Sequence, residues 1–119
     1  MREELRKNLT EIKTEIMMCK TKMNDLISAK KETNETLSAL KRKIIIQIAD
    51  EVDANGKPAH SNQTKRDAEF AERIVKNTEY NNLLADIEKI ENQIVELQMA
   101  IENLHYDFRI EEIVSRYSE

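Results

Sequence analysis

The side chains that could do chemistry in this sequence are few, and their spacing argues against most of it. Two histidines, His60 and His105, are widely separated and have no neighbouring cluster of Cys or His, so no zinc-binding set is present. Cys19 is the single cysteine, which excludes an internal disulfide. Gly56 is the single glycine, which excludes a glycine-rich phosphate loop. Carboxylate pairs such as Glu111-Glu112 are abundant, but no pattern around them predicts the desolvation that would tune a general acid or base. We therefore expect no catalytic residue, no metal ligand, no cofactor and no small-molecule substrate. The chain reads as a non-enzymatic protein.

Charge offers one constellation above background. Lys41, Arg42 and Lys43 lie across from a stretch that carries Lys65, Arg66, Arg73 and Lys76. Clustered Lys and Arg drive non-specific contact with phosphate backbones, so these seven are the candidate contacts for a nucleic acid or for an acidic partner. Asp67, Glu69 and Glu72 in the same zone, with a pI near 5.3, weigh against nucleic acid. The net charge of −4 also conceals an asymmetry. Residues 1–52 hold 11 Lys/Arg against 9 Asp/Glu, whereas residues 77–119 hold 3 against 10. Opposed arms of opposite sign favour an antiparallel pairing modestly, by about 0–1 kcal/mol for each exposed pair.

The elements that position these residues follow from apolar periodicity. Leu5, Leu9, Ile12, Ile16, Cys19, Met23 and Leu26 alternate spacings of four and three, the heptad seam of a coiled coil; Leu37 and Leu40 resume it. Ile87, Ile90, Ile94, Leu97, Ile101, Leu104 and Phe108 form a second seam. Pairing positions whose numbers sum to 113 sets Leu5 against Phe108 and Cys19 against Ile94, with the mirror point between Gly56 and Lys57. The only Gly and the only Pro, Pro58, fall in that pivot. The expected fold is all-α: a long antiparallel helical hairpin, a two-stranded coiled coil, as one domain over 1–119. Its arms are 2–52 and 61–117, joined by a loop at 53–60. Ser61 or Asn62 caps the second arm, and Asn77-Thr78-Glu79 supplies a capping signal inside it, so a kink is expected near residue 77. Lys30 and Thr33 interrupt the first seam; Lys30 is expected to lay its stem along apolar surface with its ammonium in water and the two to fix register, the alternative being contact with a partner. Beyond Leu37 the strict pairing fails, and Phe70, Ile74 and Val75 are expected to close over Ile44, Ile45, Ile46 and Ile48.

A second apolar line runs down the later arm through Val95, Met99, Tyr106, Ile110, Ile113 and Tyr117, with Glu102 at its polar gap and Val114 beside it. The 113 pairing gives this line no partner, and it leaves everything after about Ile110 overhanging the first arm. Contiguous exposed apolar patches mark interfaces. We expect a protein interface there, most simply a two-fold homodimer. The longest apolar-rich run, Ile44–Ala49, is far short of a membrane span, no secretory leader precedes the first arm, and a cytoplasmic location is expected.

The long antiparallel pair resembles prefoldin subunits, but those place β-hairpins between their helices and a loop of eight or so residues has no room for them. The pivot Asp53-Ala54-Asn55-Gly56-Lys57-Pro58, with His60-Ser61-Asn62 and Lys65-Arg66 after it, is similar to small coiled-coil hairpins encoded by phages and mobile elements. That resemblance covers the loop, the second cap and the general pattern. It implies an accessory protein that counters host defence or assists recombination, and it assigns no functional residue. Three function classes follow: a coiled-coil protein that binds a protein partner, a nucleic-acid-binding accessory of recombination or repair, and a structural or chaperone-like coiled coil.

Overall fold

Nearly every residue of this chain lies in a helix, because its apolar residues recur at heptad spacing with almost no Gly or Pro between them. A computed structural model describes residues 2–117, and among them three helices follow in order: α1 (Arg2–Asp50), α2 (Gln63–Lys76) and α3 (Thr78–Tyr117). The fold is a long antiparallel helical hairpin in which α1 is one arm and α2 with α3 the other. Two compact units compose it, one built from α1 up to Ala29 with α3 from Ile90, the other from Lys30 to Lys89. We call them the distal unit and the pivot unit.

In the pivot unit, Leu40, Ile44 and Ile48 of α1 form a buried cluster, against which Phe70 and Ile74 of α2 and Tyr80 and Leu83 of α3 pack. Three segments thus enclose one small core, and Ile48, at 2% exposure, is its most buried side chain. Full burial of an isoleucine contributes about 2 kcal/mol. Val75 does not join the cluster: it is 71% exposed, as Ile45 and Ile46 are largely exposed. A helix can turn only one stripe inward, and Ile44 with Ile48 occupies it.

Asn77 explains the break in the second arm. Its backbone N–H donates to the carbonyl of Ile74, closing α2, while its Oδ1 accepts from the N–H of Tyr80 at 2.8 Å and its carbonyl from Asn81, opening α3. One residue ends one helix and starts the next. At the other end of α2, Asn62 is the N-cap, with Oδ1 accepting from the N–H of Lys65 at 2.9 Å. The first arm ends at Asp50, two residues earlier than its periodicity indicates, because Glu51 and Val52 are drawn into the turn. Val52 forms an isolated antiparallel bridge with Pro58, Asp53 and Lys57 bond through their main chains, and Ala59 donates to the carbonyl of Glu51. Asp53 Oδ1 accepts from the N–H groups of Asn55 and Lys57, and Gly56 adopts φ 76°, which a side chain would resist.

The register differs from the 113 pairing by about one heptad, in each unit separately. In the distal unit the ammonium of Lys13 lies 5.5 Å from the centroid of the Phe108 ring; the 113 pairing would have set Lys13 against Ala100. In the pivot unit Lys41 lies 5.7 Å from the Tyr80 ring, where that pairing would have set it against Glu72. Each contact is displaced by eight residues. A seam with a seven-residue period maps onto itself when slid by seven, so periodicity alone does not distinguish the two alignments. The observed alignment sets Leu37 level with Leu83 and Leu40 with Tyr80, so the pairing beyond Leu37 persists rather than failing. Both leucines are buried.

Candidate interaction surfaces

Around the pivot, two of the seven candidate cations, Arg73 and Lys76, are held by carboxylates. Arg73 donates from Nη1 and Nη2 to the two carboxylate oxygens of Glu51, the second bond at 2.7 Å, and from Nε to Glu69 Oε1 at 2.6 Å. A two-pronged arginine–carboxylate pair is among the stronger side-chain contacts. His60 Nε2 also lies 3.3 Å from Glu51 Oε2. Hydrogen bonds from Arg73, then His60, hold the Glu51 carboxyl down to about 2 from its ordinary 4.5, and the Arg73 guanidinium is stabilised in its charged form by Glu51 and Glu69. Arg66 donates through Nε to the carbonyl of His60 at 3.1 Å, which fixes the loop to α2.

Lys76 pairs with Glu72 at 3.1 Å one helical turn away, and Lys41 covers Tyr80. Arg42, Lys43 and Lys65 are exposed. Two clefts flank α2 in this unit. One is lined by Ile44, Gln47, Glu69, Glu72, Arg73, Lys76 and Asn77, and the other by Ile45, Ile48, Ala49, Gln63, Arg66, Asp67 and Phe70. Both mix signs of charge, and neither concentrates cations. Glu51 is the residue that sequence reasoning missed. It lies 22 positions from Arg73 and 9 from His60, so no local spacing announces the trio.

In the distal unit the candidate protein interface is open to solvent. Val95, Met99, Tyr106, Ile110, Ile113 and Val114 are each between 43% and 65% exposed, and Tyr117 is 87% exposed. The heptad explains why: with Ile101 and Leu104 on the seam, Met99, Tyr106 and Ile113 fall seven apart on the side of α3 facing away from α1. The expected overhang does not begin at Ile110. Ile110 and Glu111 line a cleft together with Asn8, Glu11, Ile12 and Glu15 of α1 and Asp107 of α3, so α1 accompanies α3 at least that far. The one-heptad shift is the reason, since it brings the start of α1 alongside residues the 113 pairing left unopposed.

The same shift places Glu111 where a seam residue belongs, three residues after Phe108. Its Oε2 is shut off from solvent with no hydrogen-bond partner. Continuing the alternation of three and four past Phe108 would have located it. Cys19 is a half-buried free thiol of this unit's seam, Lys30 and Thr33 are half-buried on the pivot unit's seam as anticipated, and no group of His, Cys, Asp and Glu suited to hold a metal occurs among the described residues.

The architecture therefore defines an all-α, coiled-coil helical hairpin whose distinctive surfaces are an ion-paired pivot and an apolar outer line on α3. No family model, no curated protein and no solved structure matches the chain. Among the described residues no helix is long and apolar enough to cross a membrane.

Proposed function

We propose that this protein is a non-enzymatic coiled-coil protein that works by binding protein, and that its outer α3 line joins two copies as a two-fold homodimer. The observation that carries this reading is the spacing of the exposed line. Val95, Met99, Glu102, Tyr106, Ile110, Ile113 and Tyr117 are separated by four, three, four, four, three and four residues, a series that reads the same from either end. A two-fold axis at Tyr106 then sets Met99 opposite Ile113 of a second copy and Val95 opposite Tyr117. An interface of this kind is self-complementary by construction. It would cover side chains as exposed as Tyr106, at 65%, and Met99, at 59%.

A nucleic-acid role draws less support, because Arg73 and Lys76 are engaged by carboxylates. The similarity of the pivot to phage and mobile-element hairpins suits an accessory protein that acts on a host component, and a dimer would present two copies of every other surface to it. Light scattering tests the reading. The parent chain is expected at twice its 13.9 kDa at micromolar concentration, and Met99→Asp/Ile113→Asp at the single mass with unchanged helicity. A parent that remains monomeric at about 100 μM, a weak affinity for a specific dimer, refutes it.

A further inference from the structure

One flank of the distal unit differs from the outer line in chemistry. Two clefts open there, each between α1 and α3. The first is the one walled by Glu11 and Glu15 on α1 and by Asp107 and Glu111 on α3. The second is lined by Lys22, Asp25 and Leu26 on α1 and by Gln93, Glu96 and Leu97 on α3. The heptad places them on the same side of the coiled coil. Glu11 and Asp25 are two heptads apart on α1, as are Glu96 and Ile110 on α3. Fourteen residues correspond to about 21 Å of helix. Between them on α1, at the heptad position shared by Glu11 and Asp25, stands Met18, which is 56% exposed.

We call this flank, two clefts with Met18 between them, the groove: apolar residues stand along it from Ile12 and Ile110 through Met18 to Leu26 and Leu97, and six carboxylates line the clefts against the single cation Lys22. Glu111, half-buried on the seam, closes the inner wall of the first cleft. We propose that this groove binds a basic amphipathic helix of a partner protein, laid along the hairpin as a third strand of the coiled coil. Apolar side chains of that helix seat on Met18 and the two cleft floors, and its lysines or arginines meet the exposed Glu11, Glu15 and Asp107. The mode is helix-in-groove recognition, in which apolar anchors supply affinity and charge supplies specificity.

Charge decides the occupant. Phosphate backbones and anionic lipid surfaces are repelled by six carboxylates. A second copy cannot use the groove about a two-fold axis, because the same carboxylates would then face one another. The inference rests on the protein-binding reading above but on the flank of α3 beside the outer line, with Ile110 at the edge shared by both. The variants used for the dimer and for the groove leave Ile110 unchanged, so failure of one reading is distinguishable from failure of the other.

The test is a titration of the full chain with three synthetic 21-residue helical peptides of identical apolar heptad, one carrying lysines at the flanking positions, one glutamates, and one with the lysine sequence scrambled. Fluorescence anisotropy is expected to show saturable binding of the lysine peptide alone, weakened at 0.5 M salt as surface charges are screened. Glu15→Lys/Asp107→Lys is expected to weaken binding by about tenfold or more while keeping parent helicity. Should that variant lose helicity, Met18→Glu supplies the second arm: it puts a seventh carboxylate at the apolar centre, with the same expected loss of about tenfold. Met99→Asp/Ile113→Asp is expected to bind the peptide as the parent does. Equal affinity for the glutamate or scrambled peptide, no saturation by about 500 μM lysine peptide, or unaltered binding by folded Glu15→Lys/Asp107→Lys overturns the proposal.

Discussion

The pivot unit and the distal unit use the same seam to different ends. In the pivot unit three helical segments converge, four of the six buried apolar side chains among the described residues lie there (Leu37, Leu40, Ile44 and Ile48), and its central ions are matched with partners. In the distal unit only two helices meet; Ile16 and Ile101 are the buried pair, at 7% and 8%, and a carboxylate oxygen is left without a partner. Two helices in contact along a narrow stripe cannot enclose a core, whereas a third segment closes the open side. The lesson is one of division of labour. The pivot encloses a small core and pairs its central ions, whereas the distal unit leaves an apolar line and acidic clefts open to solvent.

The sharpest way to break this comparison is to attack the register both units share. With Cys19 retained, Ile101→Cys is expected to form a disulfide under mild oxidation, whereas Ile94→Cys, one heptad away, is not, because bridging requires Cα atoms within about 7 Å. Non-reducing mass spectrometry reads the intramolecular bond. Crosslinking through Ile94→Cys in preference to Ile101→Cys would restore the 113 pairing and remove the argument for the acidic flank.

Stability should be unevenly distributed. Ile48→Ala is expected to cost about 2–5 kcal/mol, as deletions from enclosed cores do, and Ile16→Ala to fall at or below the low end of that range. Urea unfolding followed by circular dichroism gives both values. Equal losses would mean that the third segment adds no enclosure.

The smallest effect concerns the ion-paired pivot and its response to acid. The folded-state value of Glu51 is depressed from 4.5 to about 2, first by its hydrogen bonds from Arg73. Its contribution is therefore complete above pH 4.5 and is lost as pH falls from there toward 2. Thermal melts of the parent should decline through that window, and those of Glu51→Gln, lower at pH 7, should decline less. A mutant whose melting temperature tracks the parent at every pH would show that Glu51 contributes nothing to the pivot.

Helix content, the hairpin, the turn at the only Gly and Pro, the cap at Asn62 and the break at Asn77 were all determined by the sequence itself. Each rests on local chemistry. Heptad spacing prescribes a helix with one apolar stripe, and an Asn side chain followed by two or three free N–H groups prescribes a helix start. The exposed line from Val95 to Tyr117 was equally legible, because exposure on the far side of a coiled coil follows from the same period. Only the tertiary structure decided the register, and with it what meets what. A seven-residue repeat is indifferent to a slide of seven, so the choice fell to non-local groups: Phe70, Ile74, Tyr80 and Leu83 closing on Leu40, Ile44 and Ile48, and Glu51 leaving its helix to meet Arg73. That choice turned an expected overhang into a cleft, and it put Glu111 on the seam beside Glu11 and Glu15. Contacts between residues far apart in the chain carry no signature in the spacing of either partner, and they are where this protein's surfaces acquire their chemistry.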